Sequence, residues 1–128
     1  MARNILVTGA AGYIGSLAVA ALAQDERVGT LVAYDLRPAS ASAPASAVAV
    51  TGDITRDDLA GLLGKYRNDT VVHLASILKP PVGAPGDLAW RVEVQGTRRL
   101  LEACMTAGVR HLVGTTSGAS YGYHADHP

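Results

Sequence analysis

The sequence offers one cysteine, no surplus of charge and no long apolar run, and each shortage closes off a class of protein. Cys104 stands alone, so no internal disulfide can form. It sits in a helical apolar pattern and reads as a small buried hydrophobe. A chain without disulfides suits a reducing compartment, and a cytoplasmic location is the expectation. The 11 basic and 11 acidic residues balance to a formal net charge of +0. That balance gives no pull toward nucleic acid or an anionic membrane, so neither is expected as a partner. No apolar stretch reaches the ~18 residues of a membrane span, and no signal peptide is read before the first predicted strand. Hydrophobic residues make up 48% of the 128, too many for a disordered chain. The length suits one domain, residues 1–128.

The rest of the chain is organised around Asn4 to Gly15. Ile5, Leu6 and Val7 form an apolar run suited to a strand. Gly9, Gly12 and Gly15 follow at G-x-x-G-x-x-G spacing, introduced by Thr8. Ile14, Leu17, Ala18, Ala21 and Leu22 then recur at helical spacing, so a strand passes through a glycine turn into a helix. A helix N-terminus carries unpaired N–H groups and the positive end of the macrodipole, which together suit a diphosphate. The bare alternative is a tight turn that binds nothing. The strand before the turn and the helix after it favour the phosphate site. The stretch Val7-Thr8-Gly9-Ala10-Ala11-Gly12-Tyr13-Ile14-Gly15 resembles, nearly residue for residue, the opening of the extended short-chain dehydrogenase/reductases, also called NAD-dependent epimerase/dehydratases.

Taken in order, five βα-type elements predict an α/β Rossmann-type fold. Its doubly wound parallel sheet should have strand order 3-2-1-4-5, with the cofactor crossing between strands 1 and 4. Strand 2 is predicted at Thr30 to Tyr34, ending at Asp35, which stands 20 residues beyond Gly15. That is the offset of the acid that binds the adenosine ribose. Asp35 should accept from the ribose hydroxyls of NAD and repel the 2′-phosphate of NADP. Two like charges at ~5 Å cost ~3 kcal/mol at an effective dielectric of ~20. NAD is therefore the expected cofactor in preference to NADP, although Arg37, also placed at the cofactor, offsets part of that repulsion. Pro38 to Ala47 reads as a flexible loop. Strand 3 is predicted at Val48 to Thr51. Thr55 is expected as a helix N-cap with Asp58 as its capping-box partner, and Leu59, Leu62, Leu63 and Tyr66 as the buried face. The resemblance implies that Asp53 and Ile54 lie against the adenine. On local grounds Asp53 is equally a turn residue.

Strand 4 is predicted at Thr70 to Leu74, followed by Ala75 and Ser76, whose backbone borders the cofactor in the family. His73 reads as a packed core residue. Ile77 to Gly86 is a loop, and its Lys79 reads as solvated rather than as a ligand to cofactor or substrate. A helix from Leu88 to Ala107 should follow, capped by Asp87 and closed by Gly108, with Val94, Thr97, Leu101 and Cys104 on one face. Trp90 is placed for an interface. The run Glu93-Val94-Gln95-Gly96-Thr97 is similar to the family's Asn-Val-x-Gly-Thr, with Glu93 where Asn is usual. Asn there helps to organise the active site, so the departure bears on the catalytic geometry. Strand 5 is predicted at His111 to Thr115, and Thr115 is placed among the cofactor-binding residues. Ser117, four residues before Tyr121, matches the family's catalytic serine, which would hydrogen-bond the substrate oxygen. Locally it is equally part of a Ser/Thr-rich turn. His124, Asp126 and His127 lack a fourth ligand, and no metal is expected.

The resemblance also implies a Tyr-x-x-x-Lys pair some two dozen residues beyond Ser117. Neither Tyr121 nor Tyr123 has Lys four residues on; Ala125 and His127 stand there. The fold is thus expected to be incomplete relative to the family, and the 128-residue chain inactive alone. Two functions compete. One is an NAD-dependent oxidoreductase, epimerase or dehydratase acting on a carbinol-bearing small molecule such as a nucleotide sugar, represented by its cofactor-binding part. The other is a non-catalytic NAD(H)-binding sensor or regulatory module. Ser117 favours the first; Glu93 and the missing Tyr-x-x-x-Lys favour the second. The expected assembly is a homo-oligomer or an association with a C-terminal fragment.

Overall fold

The computed structural model describes residues 1–126. Alternating apolar residues form five strands: β1 (Arg3–Thr8), β2 (Val28–Asp35), β3 (Val48–Thr51), β4 (Thr70–His73) and β5 (His111–Gly114). All pair in parallel, in the order β3-β2-β1-β4-β5. The expected doubly wound sheet is therefore present. The two-residue period of the strands divides the core. Leu6, Val32, Tyr34 and Val71 face one side of the sheet, under α2 (Leu59–Lys65) and α4 (Thr97–Ala107). Ile5, Val7 and Leu31 face the other, under α1 (Tyr13–Leu22). No helix stands between β2 and β3. That connection instead folds into two successive turns, with Ala43 N–H donating to Ser40 O and Ala47 N–H to Pro44 O.

Three local expectations need correction. The helix after β3 starts at Leu59, and its N-cap is Asp58, whose carboxylate accepts from Gly61 N–H at 2.9 Å. Thr55 is not the cap, because Asp53 takes both its N–H and its hydroxyl in a tight Asx turn. The predicted apolar face holds all the same: Leu59 and Leu63 are buried, and Leu62 and Tyr66 pack against them.

The second correction concerns Asp87. It precedes α3 (Leu88–Trp90) but makes no side-chain cap bond, and it pairs with Arg91 at 3.3 Å instead. The third concerns the long helix. Between α3 and α4 lies a π-helical segment, Arg91–Gly96, and helical backbone angles run through both junctions. Its wider turn shifts the phase of the helix. The buried face is therefore Gly96, Leu100, Ala103 and Cys104, while Val94 and Leu101 are about half exposed. Cys104 is a buried free thiol, as expected, with burial pushing its pKa up. Gly108 closes α4 in the left-handed conformation at φ 73°, as its position predicts.

Candidate cofactor site

The strand register gathers the site. Thr8 lies opposite Tyr34 on one side and His73 on the other, and His73 lies opposite Gly114. The segments that leave β1, β2, β4 and β5 therefore emerge side by side at the carboxyl edge of the sheet. Gly9, Asp35, Leu74 and Thr115 are the first residues at or past those ends. Thr8 fixes the seam between β1 and β4. It is fully buried, and its Oγ1 accepts from Leu74 N–H at 3.1 Å and Ala75 N–H at 3.2 Å. With both lone pairs engaged, the hydroxyl hydrogen goes to His73 Nδ1 at 2.7 Å. His73 Nε2–H then donates to Thr97 Oγ1 at 3.0 Å. Burial lowers the His73 pKa, against an opposing pull from Glu93, and the neutral ring suits this set of bonds. His73 is thus packed, as expected, but it also ties β4 to both β1 and α4.

The three glycines do different jobs. Gly9 has φ +68°, and a Cβ there would lie 2.6 Å from the Leu74 backbone. At Gly15 a Cβ would lie 1.9 Å from Gly9 O. Packing within the protein therefore accounts for both. Gly12 is different. A Cβ there would meet only Gly9 O at 3.2 Å and the Arg37 guanidinium at 4.0 Å, and its backbone is extended. The contact with Gly9 O is tight, but it asks for a shift of only a few tenths of an ångström, far less than at Gly9 or Gly15. Gly12 is also the N-cap of α1 and supplies no side-chain cap, so the first N–H groups of the helix face outward without one. An uncapped N-terminus of a ten-residue helix fits a dinucleotide diphosphate. The side chains of Tyr13 and Ile14 are exposed, 81% and 57%, which leaves their backbone at this turn as what they offer such a group.

Asp35 is drawn toward the same turn. Its Oδ2 accepts from Ala11 N–H and its Oδ1 from Arg37 N–H, both at 2.9 Å. The Arg37 side chain lies 3.6 Å from Asp35 and is largely exposed. A cavity of about 220 Å³ opens beside them, lined among others by Ala10, Leu17, Ala20, Ser42 and Pro44. Asp53 lies across the β2–β3 edge. Burial raises its pKa, but hydrogen bonds from Thr55 and the nearby Arg56 more than offset that, and the net shift is downward. Ile54 is 6% exposed and packs into the core against Gly96, where a Cβ would lie 2.9 Å from its Cγ2. Arg99 holds this loop from α4, donating to Ile54 O at 2.6 Å and Asp57 O at 2.9 Å.

On the β4 side, Ser76 Oγ and Ile77 N–H both donate to Glu93 Oε1 at 2.6 Å. Ser117 lies beyond β5 and is exposed. Its Oγ accepts from Ala119 N–H at 3.1 Å, and its carbonyl accepts from Ser120 Oγ, so it caps the 3-10 turn Gly118–Tyr121. Of the sequence-predicted residues, Gly9, Ala11, Gly12 and Asp35 are in direct mutual contact or adjacent. Leu74 and Ala75 join them through Thr8, while Asp53 and Ser117 lie on flanking loops. Sequence reasoning missed the hydrogen bonds of Thr8, Thr97 and Arg99, whose partners lie 24 to 67 residues away and leave no local pattern.

Two further observations bound the site. Among the described residues no cluster of three or more His, Cys, Asp or Glu could hold a metal ion, and no helix is long and apolar enough to cross a membrane. His127, of the His124-Asp126-His127 group, lies outside the described residues.

Comparison with known proteins gives concordant results. UDP-glucose 4-epimerase of Mycolicibacterium smegmatis is 39% identical over 137 residues, covering 96% of this chain and 42% of that protein. Human 3 beta-hydroxysteroid dehydrogenase type 7 is 35% identical, covering 88% of this chain and 32% of that protein. The solved structure of MoeE5 in complex with UDP-glucuronic acid and NAD superposes with a TM-score of 0.80 at 36% identity, over 94% of this chain and 39% of that one. The chain thus spans about two fifths or less of the length of these relatives. A model of the NAD dependent epimerase/dehydratase family matches residues 5–128, from β1 through β5 and beyond, and the chain belongs to that family.

Proposed function

We propose that this chain is the NAD-binding part of an epimerase or dehydratase that acts on a nucleotide sugar. The observation that carries the reading is the uncapped start of α1 at Gly12, with Asp35 docked on the adjoining Ala11 N–H. In this reading the Gly12 to Gly15 backbone holds the diphosphate. Asp35 takes the adenosine ribose hydroxyls with the lone pairs left free by Ala11 and Arg37. Asp53 and the Ile54 backbone flank the adenine, while Leu74, Ala75, Ser76 and Thr115 border the other half of the cofactor. Bound NAD supplies a hydride acceptor for a carbinol carbon. Ser117 then orients the substrate oxygen by turning its hydroxyl hydrogen outward, since its Oγ already accepts from Ala119. No Tyr-x-x-x-Lys occurs in residues 1–128, so the proposal gives this stretch the cofactor half and leaves proton movement to residues outside it. The nucleotide-sugar substrate is favoured by the UDP-sugar relatives; the hydroxysteroid relative is the competing class.

Calorimetric titration of the protein at its full natural length tests the reading. NAD should bind tighter than NADP by about tenfold or more, from the repulsion between Asp35 and a 2′-phosphate. Gly12→Val should stay largely folded and lose NAD affinity, because a branched side chain would stand where the diphosphate must approach the backbone at the start of α1. Full affinity in folded Gly12→Val would move the phosphate site elsewhere. Equal NADP affinity would show that Arg37 outweighs Asp35. Turnover of a UDP-sugar, and none of a 3-hydroxysteroid, would fix the substrate class.

A further inference from the structure

Glu93 sits in the π-helical segment, yet its side chain reaches the end of β4. Ser76 and Ile77 hold one of its oxygens with two 2.6 Å hydrogen bonds, so the carboxylate is tethered although the residue is exposed. The nearest cation on its own segment, Arg91, is paired with Asp87. The field of Glu93 reaches inward as far as the His73 ring. The position of this charge takes its meaning from the functional reading above and rests on it. Asp35 at β2 fixes the adenosine side and α1 the diphosphate, so the nicotinamide half must run toward β4 and β5. The Glu93 carboxylate stands at that end.

We propose that Glu93, tethered by Ser76 and Ile77, biases the bound cofactor toward its oxidised form. Oxidised nicotinamide carries a positive charge. Hydride transfer delivers two electrons and one proton to the ring and leaves it neutral. A fixed anion nearby stabilises the first state and not the second. The similar family motif has Asn at this position, a polar side chain with no charge. The departure at Glu93 therefore sets the balance of the cofactor as well as the shape of the loop.

Glu93→Gln tests this, since it keeps an acceptor oxygen and removes the charge. Dissociation constants for NAD⁺ and NADH are measured on the protein at its full natural length, by calorimetry and nicotinamide fluorescence at low ionic strength. The ratio Kd(NADH)/Kd(NAD⁺) should fall about three- to tenfold in Glu93→Gln, and the difference should shrink in ~0.5 M salt. The potential of the bound couple would rise by about 15 to 30 mV, at about 30 mV per tenfold for two electrons. Glu102→Gln removes an exposed carboxylate that pairs with Arg98 on α4, outside the cofactor site, so its ratio should stay within about twofold of wild type. Both cofactors binding with an unchanged ratio in Glu93→Gln would overturn the inference and leave NAD binding intact. An equal shift in Glu102→Gln would overturn the placement of the effect at Glu93 in favour of the overall charge of the protein. Wild-type protein that binds neither form would overturn the inference and the functional reading together.

Discussion

His73 shows how many elements a single side chain can join. Its ring accepts from Thr8, donates to Thr97, and is half-buried between them. Burial lowers its pKa below the 6.5 of a free imidazole. Between that value and the lower folded one, the unfolded chain binds the extra proton. The stabilisation is therefore complete above pH 6.5 and is lost as pH falls toward the folded pKa. The depressed Asp53 and Asp69 act in a separate window, at and below the ordinary aspartate value of 3.8. Thermal midpoints measured from about pH 7.5 to 5 should fall for the wild type and hold level for His73→Gln, which retains one acceptor and one donor. Parallel slopes for the two proteins would show that His73 does not set the pH dependence. The apolar context of His73 is legible in the sequence. Its hydrogen bonds are not, since Thr8 and Thr97 lie 65 and 24 residues away.

At the scale of elements, two helical glycines should respond to alanine with opposite signs. Gly64 in α2 has nothing within 4 Å of where a Cβ would stand and no positive φ, so Gly64→Ala should stabilise by about 0.5 to 1 kcal/mol. Gly96 ends the π-helical segment, and a Cβ there would press on buried Ile54, so Gly96→Ala should cost about 1 to 3 kcal/mol. Urea unfolding of both variants measures this, and a stabilised Gly96→Ala would mean that Ile54 repacks freely. The elements divide into those written locally and those written by distant contacts. The strand, glycine turn and helix at the start of the chain are readable because their signals are contiguous. So is the Gly108 stop. The π-helical segment has no such local signature. It lies where Gly96 meets Ile54 and Glu93 meets Ser76, contacts that exist only once the sheet has formed. The same holds for the cap of α2. Thr55 and Asp58 both have cap chemistry, and the choice falls to Asp58 because Asp53 has already taken Thr55.

The whole molecule is unevenly covered. All four residues of β5 are exposed, with Leu112 at 43% and Val113 at 59%, and Trp90, Leu101 and Met105 are exposed along α3 and α4. Parallel strands normally have both faces covered, and an open edge invites pairing. Residues 1–128 expressed alone should therefore self-associate or capture a separate part of the same protein. Light scattering, with mass spectrometry of whatever co-purifies, checks this, and a dispersed monomer at high concentration would count against it. The two faces of the sheet are also sealed to different depths. Among the described residues ten are buried in the core under α2 and α4, but only five under α1, where no second helix shares the work. Breathing of residues 1–128 on their own should then be one-sided, with α1 and its glycine turn lifting while the sheet and the opposite helices stay closed. A dinucleotide bridging that turn and Asp35 would act as a latch on the looser half. At a hundredfold excess over its Kd it adds about 2.7 kcal/mol against such opening. The cofactor would then be a fastener of the thinner face as well as a reagent.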